Sequence, residues 1–373
     1  MGRSAPAALP CYDAEVRAPY GSLPHALKCT HEMPRHAAAP APAPGIIDGK
    51  DLLFTMDIIE ALKAVLFGIV EGITEWLPIS STGHMMLLEA FVPLNVSPEF
   101  YSTFLVVIQL GAIMAVLVLF FHKLNPFSSR KTERQKRVTW GIWAKVVVGS
   151  IPAAIVGLLL DEWVETNIMT NEDVSAIVVA AALVIYGVIF ILIEIRNRRR
   201  LAEAQSAAPH GKHARNGQLA ETYESVDPDA DTEYDASSII SSVNTFEQMS
   251  YAKAFIIGIF QSLAVIPGTS RSGSIIIGSM LVGTSRTVAT EFAFFLAIPI
   301  MFGWSLLKFF KHGFAYTATE WMVFVIGLVV AFVVSIIAIK FLVGFVKKHD
   351  FTAFGVYRII IGAVVLVYFL FIV

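Results

Sequence analysis

The sequence predicts an all-α polytopic integral membrane protein, built as an inverted-topology repeat with two broken re-entrant helical hairpins and about six full transmembrane helices. Three observations predict it. Charged residues make up only 16% of the 373 and hydrophobic ones 55%, with a mean hydropathy of +0.66. A soluble domain carries about a quarter charged residues, so lipid must cover this surface. Several apolar runs match the ~20 residues that a helix needs to cross the hydrocarbon core. Two further apolar stretches are interrupted at mid-length by the same kind of sequence, WLPISSTGH and VIPGTSRSG.

These numbers exclude an ordinary water-soluble enzyme. With 28 Lys+Arg against 30 Asp+Glu there is no global basic field, and nucleic acid is not expected as a partner. Cys11 and Cys29 are too few for a disulfide framework or a metal site.

Residues 1–55 are Ala/Pro-rich, including the run AAAPAPAPG, and are expected to be a disordered N-terminal extension. Its start lacks the continuous apolar core of a secretory signal. Residues 56–195 form the expected first membrane repeat, a broken hairpin over about 57–92 followed by spans at 101–121, 141–160 with Lys145, and 174–193. Residues 196–252 are polar and, with Asp227, Asp229, Asp231, Glu233 and Asp235, acidic in their later part; a disordered cytoplasmic loop is expected there. Residues 253–373 repeat the plan, with a broken hairpin over about 253–285 and spans at 292–307 behind Glu291, 321–339, and 351–373 with Arg358.

The repeat is visible in the letters. GIVEGITEWLPISSTGH and GIFQSLAVIPGTSRSGS align at an offset of 190 residues, pairing Gly68 with Gly258, Glu71 with Gln261, and Gly83 with Gly273, with Pro78 and Pro267 slipped by one. Basic residues orient the chain. Loop 122–140 holds Lys123, Arg130, Lys131, Arg134, Lys136 and Arg137 and is cytoplasmic, whereas loop 161–173 holds five acidic residues and no Lys or Arg, and lies outside. Arg196–Arg200 and Lys347–Lys348 fall inside; Lys308 and Lys311 fall outside, against the trend. Three spans per half invert the second half, so the two hairpins enter from opposite faces and meet near the midplane, an arrangement known from transporters. Backbone that leaves the helix at that depth is tolerated only beside protein or a wet cavity.

Glu71 and Glu75 are one helical turn apart and face the break. An ionised carboxylate at membrane depth costs about 2.5–3.5 kcal/mol on insertion scales, which argues for function over packing; the bland alternative is two interfacial carboxylates solvating a helix end. Ser80, Ser81, Thr82, Gly83 and His84 follow, offering hydroxyls, a flexible joint and an imidazole. Any one hydroxyl is as well explained as a helix cap. His84 suits a general acid, a base or a nucleophile. In the second hairpin Gly268, Thr269, Ser270, Arg271, Ser272 and Gly273 bring amides, hydroxyls and a guanidinium into one small volume, the chemistry that binds an oxyanion. The plainer alternative is an Arg271 that neutralises a nearby Glu. Gln109 points either to the site or to a helix contact, and Arg286 with Glu291 reads as structural support.

EGITEWLPISSTGH and PGTSRSG together resemble the two signature motifs of the undecaprenyl-diphosphate phosphatase family, the bacitracin-resistance proteins, and VIQLGAI, SIPAAIVGLL, SRTVATEF and YRIIIGA extend the similarity from about Met56 to the C-terminus. The resemblance implies a bacterial plasma-membrane hydrolase that converts the diphosphate of a polyprenyl lipid carrier to its monophosphate for cell-wall synthesis, with its site open to the outer face. It places catalytic roles on Glu71, Glu75, Ser81, His84 and Arg271; the other residues of the two breaks, Ser80, Thr82, Gly83, Gly268, Thr269, Ser270, Ser272 and Gly273, are the expected substrate contacts. The expected mechanism is in-line attack on the terminal phosphorus by His84, Ser81 or water, with Arg271 bearing the charge. Glu71 and Glu75 orient the histidine, activate water or bind a divalent cation, Mg2+ or Ca2+; no organic cofactor is expected. A homodimer is a further expectation. The competing function is a transporter or flippase for an anionic polyprenyl lipid, since broken inverted repeats are also a transport architecture.

Overall fold

The computed structural model describes residues 49–207, 235–313 and 315–371. Eleven α-helices order these residues. Helix α1 (Gly49–Thr74) and helix α2 (Ser81–Phe91) make the first hairpin. Helix α3 (Pro98–Leu119), the short α4 (Phe121–Leu124), α5 (Glu133–Val164) and α6 (Glu172–Ala207) complete the first half. Helix α7 (Tyr251–Ser262) and helix α8 (Arg271–Leu281) make the second hairpin, followed by α9 (Arg286–His312), α10 (Ala318–Lys348) and α11 (Thr352–Phe371). Among the described residues the extended pairing is limited to one isolated bridge between Val243 and Thr284.

Six of these helices, α3, α5, α6, α9, α10 and α11, are long and apolar enough to cross a membrane; four of them contain the expected spans, whereas α3 ends at Leu119, short of the expected 121, and α11 covers Thr352–Phe371 of the expected 351–373. Between their ends these helices expose large apolar side chains, among them Leu159, Ile185, Leu192, Ile337 and Ile360, as lipid contact requires, while exposed charges such as Glu133 of α5 and Arg199 of α6 lie toward helix ends. The ends are set by local chemistry. Ser97 caps α3 ahead of Pro98, and reciprocal capping boxes start α5 (Thr132 with Gln135) and α10 (Thr317 with Glu320).

The two hairpins correspond closely. Helices α2 and α8 each have 11 residues and begin at the offset of the sequence motifs, and the residues before them, Ser80 and Ser270, both have positive φ, 72° and 70°. Each first arm packs on the second long span of the other half, α1 on α10 and α7 on α5. Glycine permits both contacts. A Cβ on Gly258 would stand 2.2 Å from the Gly149 carbonyl oxygen, and one on Gly68 would stand 2.7 Å from that of Gly327. The two halves are thereby interlocked through their hairpins.

The boundaries differ from the sequence expectation in two places. Helix α1 begins at Gly49, inside the segment assigned to the extension; the rest of that segment lies outside the described residues. The loop read as disordered over 196–252 is built structure at both ends, and only 208–234 lies outside the described residues. Helix α6 runs on to Ala207. From Asp235 the chain is folded against the bundle because α9 lacks a cap of its own: Ser285 makes no side-chain cap bond. Asp235 instead accepts from the Thr287 backbone N–H and hydroxyl, both at 2.8 Å, and Ser237 accepts from the Arg286 N–H at 2.9 Å. These satisfy N–H groups that a helix start otherwise leaves bare. Phe246 and Met249 are buried in the main core, and Lys145, the charge within a span, donates to the Phe246 carbonyl at 2.6 Å.

Candidate active site

The two breaks meet. Between Thr74 and Ser81 the chain leaves the helix in a series of turns; between Ser262 and Arg271 it passes through a 3-10 turn, Leu263–Val265, and then the Pro267–Gly268 turn. Gly268 has φ +91°, and a Cβ there would stand 2.6 Å from the Val179 carbonyl, so the turn demands glycine twice over. Ser80 and Ser270 hold positive φ without being glycine, a conformation that costs about 1–3 kcal/mol and clusters at functional sites.

The strained turns are held by Arg358 of α11, which is fully buried. One guanidinium nitrogen donates to the Pro78 carbonyl at 3.1 Å, and the other to the Gly268 and Thr269 carbonyls, both at 2.9 Å. The plane of Arg358 also lies over the Tyr186 ring at 5.4 Å. One cation thus staples both breaks through carbonyls that have no place in a regular helix. Ser272 adds a second stitch, its hydroxyl reaching the Glu75 carbonyl at 3.2 Å and the Leu77 carbonyl at 3.4 Å.

On this scaffold a cavity of about 440 Å³ opens between the hairpins and helices α5 and α9. Glu75, Ser81, Thr82, Gly268, Ser270 and Arg271 line its polar end, with Gln109 and Gln261. Arg271 Nη2 donates to Glu75 Oε1 at 2.9 Å, and the Ser81 hydroxyl donates to Glu75 Oε2 at 2.9 Å. Among the described residues, Arg271 Nη1 and both amide atoms of Gln261 have no hydrogen-bond partner. Away from the polar end the lining turns apolar, with Ala153, Ala154, Gly157 and Leu158 of α5 facing Ile300, Met301, Trp304 and Leu307 of α9, and Asp161 completes the lining.

The other expected site residues are placed differently. Glu71 is buried one turn below Glu75, with Oε1 unpartnered, and does not line the cavity. Ser80 is buried; its carbonyl accepts from His84 Nδ1 at 2.7 Å. Thr269 ties its own turn, donating to Ile266 O at 2.8 Å, and Gly273 N–H donates to Ser270 Oγ at 3.2 Å. Gly83 packs against Leu183 of α6.

His84 faces away from the cavity. At 100° per residue it lies roughly a third of a turn around α2 from the direction shared by Ser81 and Thr82. Its ring stacks on Tyr357 with centroids 5.6 Å apart, and Nε2 meets the Tyr357 hydroxyl at 2.8 Å. A carbonyl can only accept, so Nδ1 carries the proton toward Ser80, and in the neutral ring Nε2 accepts from Tyr357. Arg286 and Glu291 are not a pair: Arg286 binds Glu194 at 3.0 and 2.5 Å, and Glu291 binds Lys123 at 2.8 Å.

Comparison with known proteins bears on this site. The family model described as bacitracin resistance protein BacA matches residues 64–364, which include both hairpins and all six spans in whole or large part. The chain belongs to the BacA family. Named relatives of this BacA-family chain are alike over nearly their whole length. Undecaprenyl-diphosphatase 1 of Clostridioides difficile (strain 630) is 48% identical over 315 residues, 84% of this chain and 98% of that protein. The undecaprenyl-diphosphatase of Enterococcus faecalis (strain ATCC 700802 / V583) is 46% identical over 83% of this chain and 97% of its own. That of Streptococcus thermophilus (strain ATCC BAA-250 / LMG 18311) is 47% identical, covering 83% and 94%.

Sequence reasoning missed Arg358 and Tyr357 as parts of the site. The motif YRIIIGA contained both, but an arginine in a span gives no sign that its partners are carbonyl oxygens.

Proposed function

We propose that this protein is an undecaprenyl-diphosphate phosphatase of the bacterial plasma membrane, hydrolysing the lipid diphosphate to its monophosphate and inorganic phosphate and so recycling the carrier for cell-wall synthesis. This activity also accounts for bacitracin resistance. The observation that carries the site assignment is the contact of Glu75 with both Arg271 and Ser81 at the polar end of a cavity whose walls on α5 and α9 are mainly apolar. A serine hydroxyl donating to a carboxylate is an activated nucleophile with its base. The guanidinium beside it suits the charge that develops on transferring phosphoryl oxygens.

In the first step Ser81 Oγ bonds to the terminal phosphorus, its proton passes to Glu75, and the bridging P–O bond breaks with its electron pair on the departing lipid monophosphate. That leaving group needs no proton, since a phosphate monoester gives up its second proton near pH 6. His84, turned toward Tyr357, is then a positioning residue that holds the Ser80 carbonyl and with it the strained turn before Ser81. In the second step water bonds to phosphorus, the Ser81 O–P bond breaks, Glu75 returns its proton to Ser81, and both water protons leave with the phosphate.

A divalent cation fits the same site. Among the described residues no group of three or more His, Cys, Asp and Glu side chains converges, but Mg2+ is commonly held by one or two carboxylates completed by substrate phosphates. Glu75, which lines the cavity, would supply one such carboxylate; Glu71, buried one turn below and outside the lining, would have to turn toward the ion to supply a second. Such an ion would neutralise diphosphate charge.

The cavity is inferred to open on the outer face. Asp161 is at the end of α5, next to the loop without basic residues, and Lys308 of α9, counted against the scheme, meets Glu165 there at 3.4 Å. The lipid tail follows the apolar walls formed by α5 and α9. An inverted repeat is supported by the matched hairpins and their exchanged packing partners.

The test is phosphate release from undecaprenyl diphosphate by purified protein in detergent. Parent protein releases phosphate, and Glu75→Gln, Ser81→Ala and Arg271→Ala do not; radiolabelled terminal phosphate is trapped on Ser81 after acid quench. Activity retained in Ser81→Ala would overturn the serine nucleophile. An inactive parent would overturn the enzyme assignment.

A further inference from the structure

Gln261 poses a physical problem. It is only 2% exposed, it lies at membrane depth in the first arm of the second hairpin, and neither amide atom has a hydrogen-bond partner among the described residues. Burying an amide without compensation costs about 1–3 kcal/mol by protein mutational data, and a leucine would fill the position without that cost. Gln261 is also one of the groups lining the polar end of the cavity, beside Glu75, Ser81 and Arg271. In the repeat it occupies the position of Glu71, so one half of the chain carries an acid where the other carries the neutral isostere.

The unsatisfied groups at this end have a pattern. Gln261 Nε2 and Arg271 Nη1 are donors without acceptors, and Gln261 Oε1 is an acceptor without a donor. A ligand that satisfies all three presents anionic oxygens to two N–H groups and one O–H to a carbonyl. A phosphoryl group with a water molecule on it meets this requirement; a purely apolar ligand does not. An amide suits the place better than a carboxylate, which would repel the phosphate that Arg271 attracts.

We propose that Gln261 is a substrate-binding residue of this enzyme: its amide nitrogen donates, with Arg271 Nη1, to non-bridging oxygens of the terminal phosphate, and its carbonyl accepts from the water that hydrolyses the phosphoryl-serine. The proposal rests on the cavity being the active site as described above. The water supplies its oxygen to phosphorus as the Ser81 O–P bond breaks, and Gln261 itself gains and loses no proton.

The experiment compares Gln261→Leu, Gln261→Glu and Arg271→Ala with the parent, by steady-state phosphate release and by thermal unfolding in detergent with and without inorganic pyrophosphate. Loss of one oxyanion donor typically costs about a hundredfold or more in rate. Gln261→Leu is expected to lose kcat/KM on that scale while its unfolding midpoint without ligand stays at or above the parent's, because an uncompensated amide has been replaced by hydrocarbon. Pyrophosphate raises the midpoint of the parent and fails to raise that of Gln261→Leu. Gln261→Glu is expected to raise KM, since it sets a second carboxylate against the phosphate. Gln261→Leu activity within threefold of the parent, or full stabilisation of that variant by pyrophosphate, overturns the role of Gln261 provided Arg271→Ala is inactive. Activity retained in Arg271→Ala instead overturns the site on which the proposal rests.

Discussion

Glu75 and Arg271 stand 196 positions apart in the chain and meet at 2.9 Å, each at the break of its own hairpin. Breaking a buried ion pair by removing one partner destabilises by about 3–5 kcal/mol, because the other charge stays behind. Glu75→Gln and Arg271→Ala are therefore expected to lower the unfolding midpoint as well as abolish phosphate release. The exchanged double variant, Glu75→Arg with Arg271→Glu, restores the attraction but leaves Ser81 without its acceptor. Thermal unfolding in detergent should recover part of the lost stability while phosphate release stays at background. Recovery of both would mean that the pair only holds the hairpins together.

Arg358 is the cation on which the two breaks depend. Its guanidinium serves three carbonyls that regular helix bonding cannot satisfy, and a hydrogen bond to a charged group contributes about 1.5–3 kcal/mol. Arg358→Met should cost at least about 3 kcal/mol and abolish activity, with Arg358→Lys intermediate because one ammonium cannot copy the planar fork. A midpoint within 2 °C of the parent for Arg358→Met would show that the turns hold themselves.

The spans were legible because lipid selects one property over some twenty residues, and composition reports it directly. The breaks were legible because Pro, Gly, Ser and Thr interrupt runs that are otherwise apolar, and the convergence of Glu75 with Arg271 followed from matching the two halves. Three features were not legible, for a common reason: each depends on a partner far along the chain. The direction of His84 is decided by Tyr357, 273 positions away. Asp235 belongs to an acidic run that reads as solvated, yet it caps a helix 52 positions later. Arg358 finds carbonyl oxygens, which every residue carries and no letter announces.

His84 bears on the mechanism in a way that substitution can separate. If it positions the Ser80 carbonyl, a side chain that donates from a similar place keeps part of the activity. His84→Gln should retain roughly a tenth of the parent kcat/KM and His84→Ala less, on the scale of tenfold per 1.4 kcal/mol for one hydrogen bond to the turn. Tyr357→Phe should fall less than tenfold. The pH profile of His84→Gln should keep the parent's shape. Total loss in His84→Gln with a normal unfolding midpoint would place the imidazole in the chemistry.

Asp350, between α10 and α11, provides a pH-dependent clasp outside the spans. Burial pushes its carboxyl up, but hydrogen bonds from Thr352 and the Arg198 side chain outweigh this and hold it below the usual aspartate value. A depressed carboxyl contributes stability that is fully present above the unfolded-state value, about 3.9, and that is lost as pH falls through the lower folded-state value. Acid unfolding of Asp350→Asn should therefore be shallower than that of the parent below about pH 4, with the two midpoints differing most near neutrality. Parallel curves across the acid range would remove Asp350 from the linkage.

The apolar half of the cavity should discriminate substrates by tail length. Gly157 of α5 lies against Trp304 of α9, and a Cβ on it would already stand 3.0 Å from the indole ring. Gly157 and Trp304 both line the cavity, so a phenylalanine at 157 must push into its apolar part. Each buried methylene of a lipid tail is worth about 0.8 kcal/mol, so losing contact along even two of them raises KM roughly tenfold. Gly157→Phe is expected to raise KM for undecaprenyl diphosphate by that factor or more, to raise it less for a farnesyl diphosphate whose tail ends sooner, and to leave kcat within threefold for both. Steady-state kinetics on the two substrates checks this. An equal rise for both tails would mean that the helices α5 and α9 narrow the headgroup's entry and that the lipid lies elsewhere.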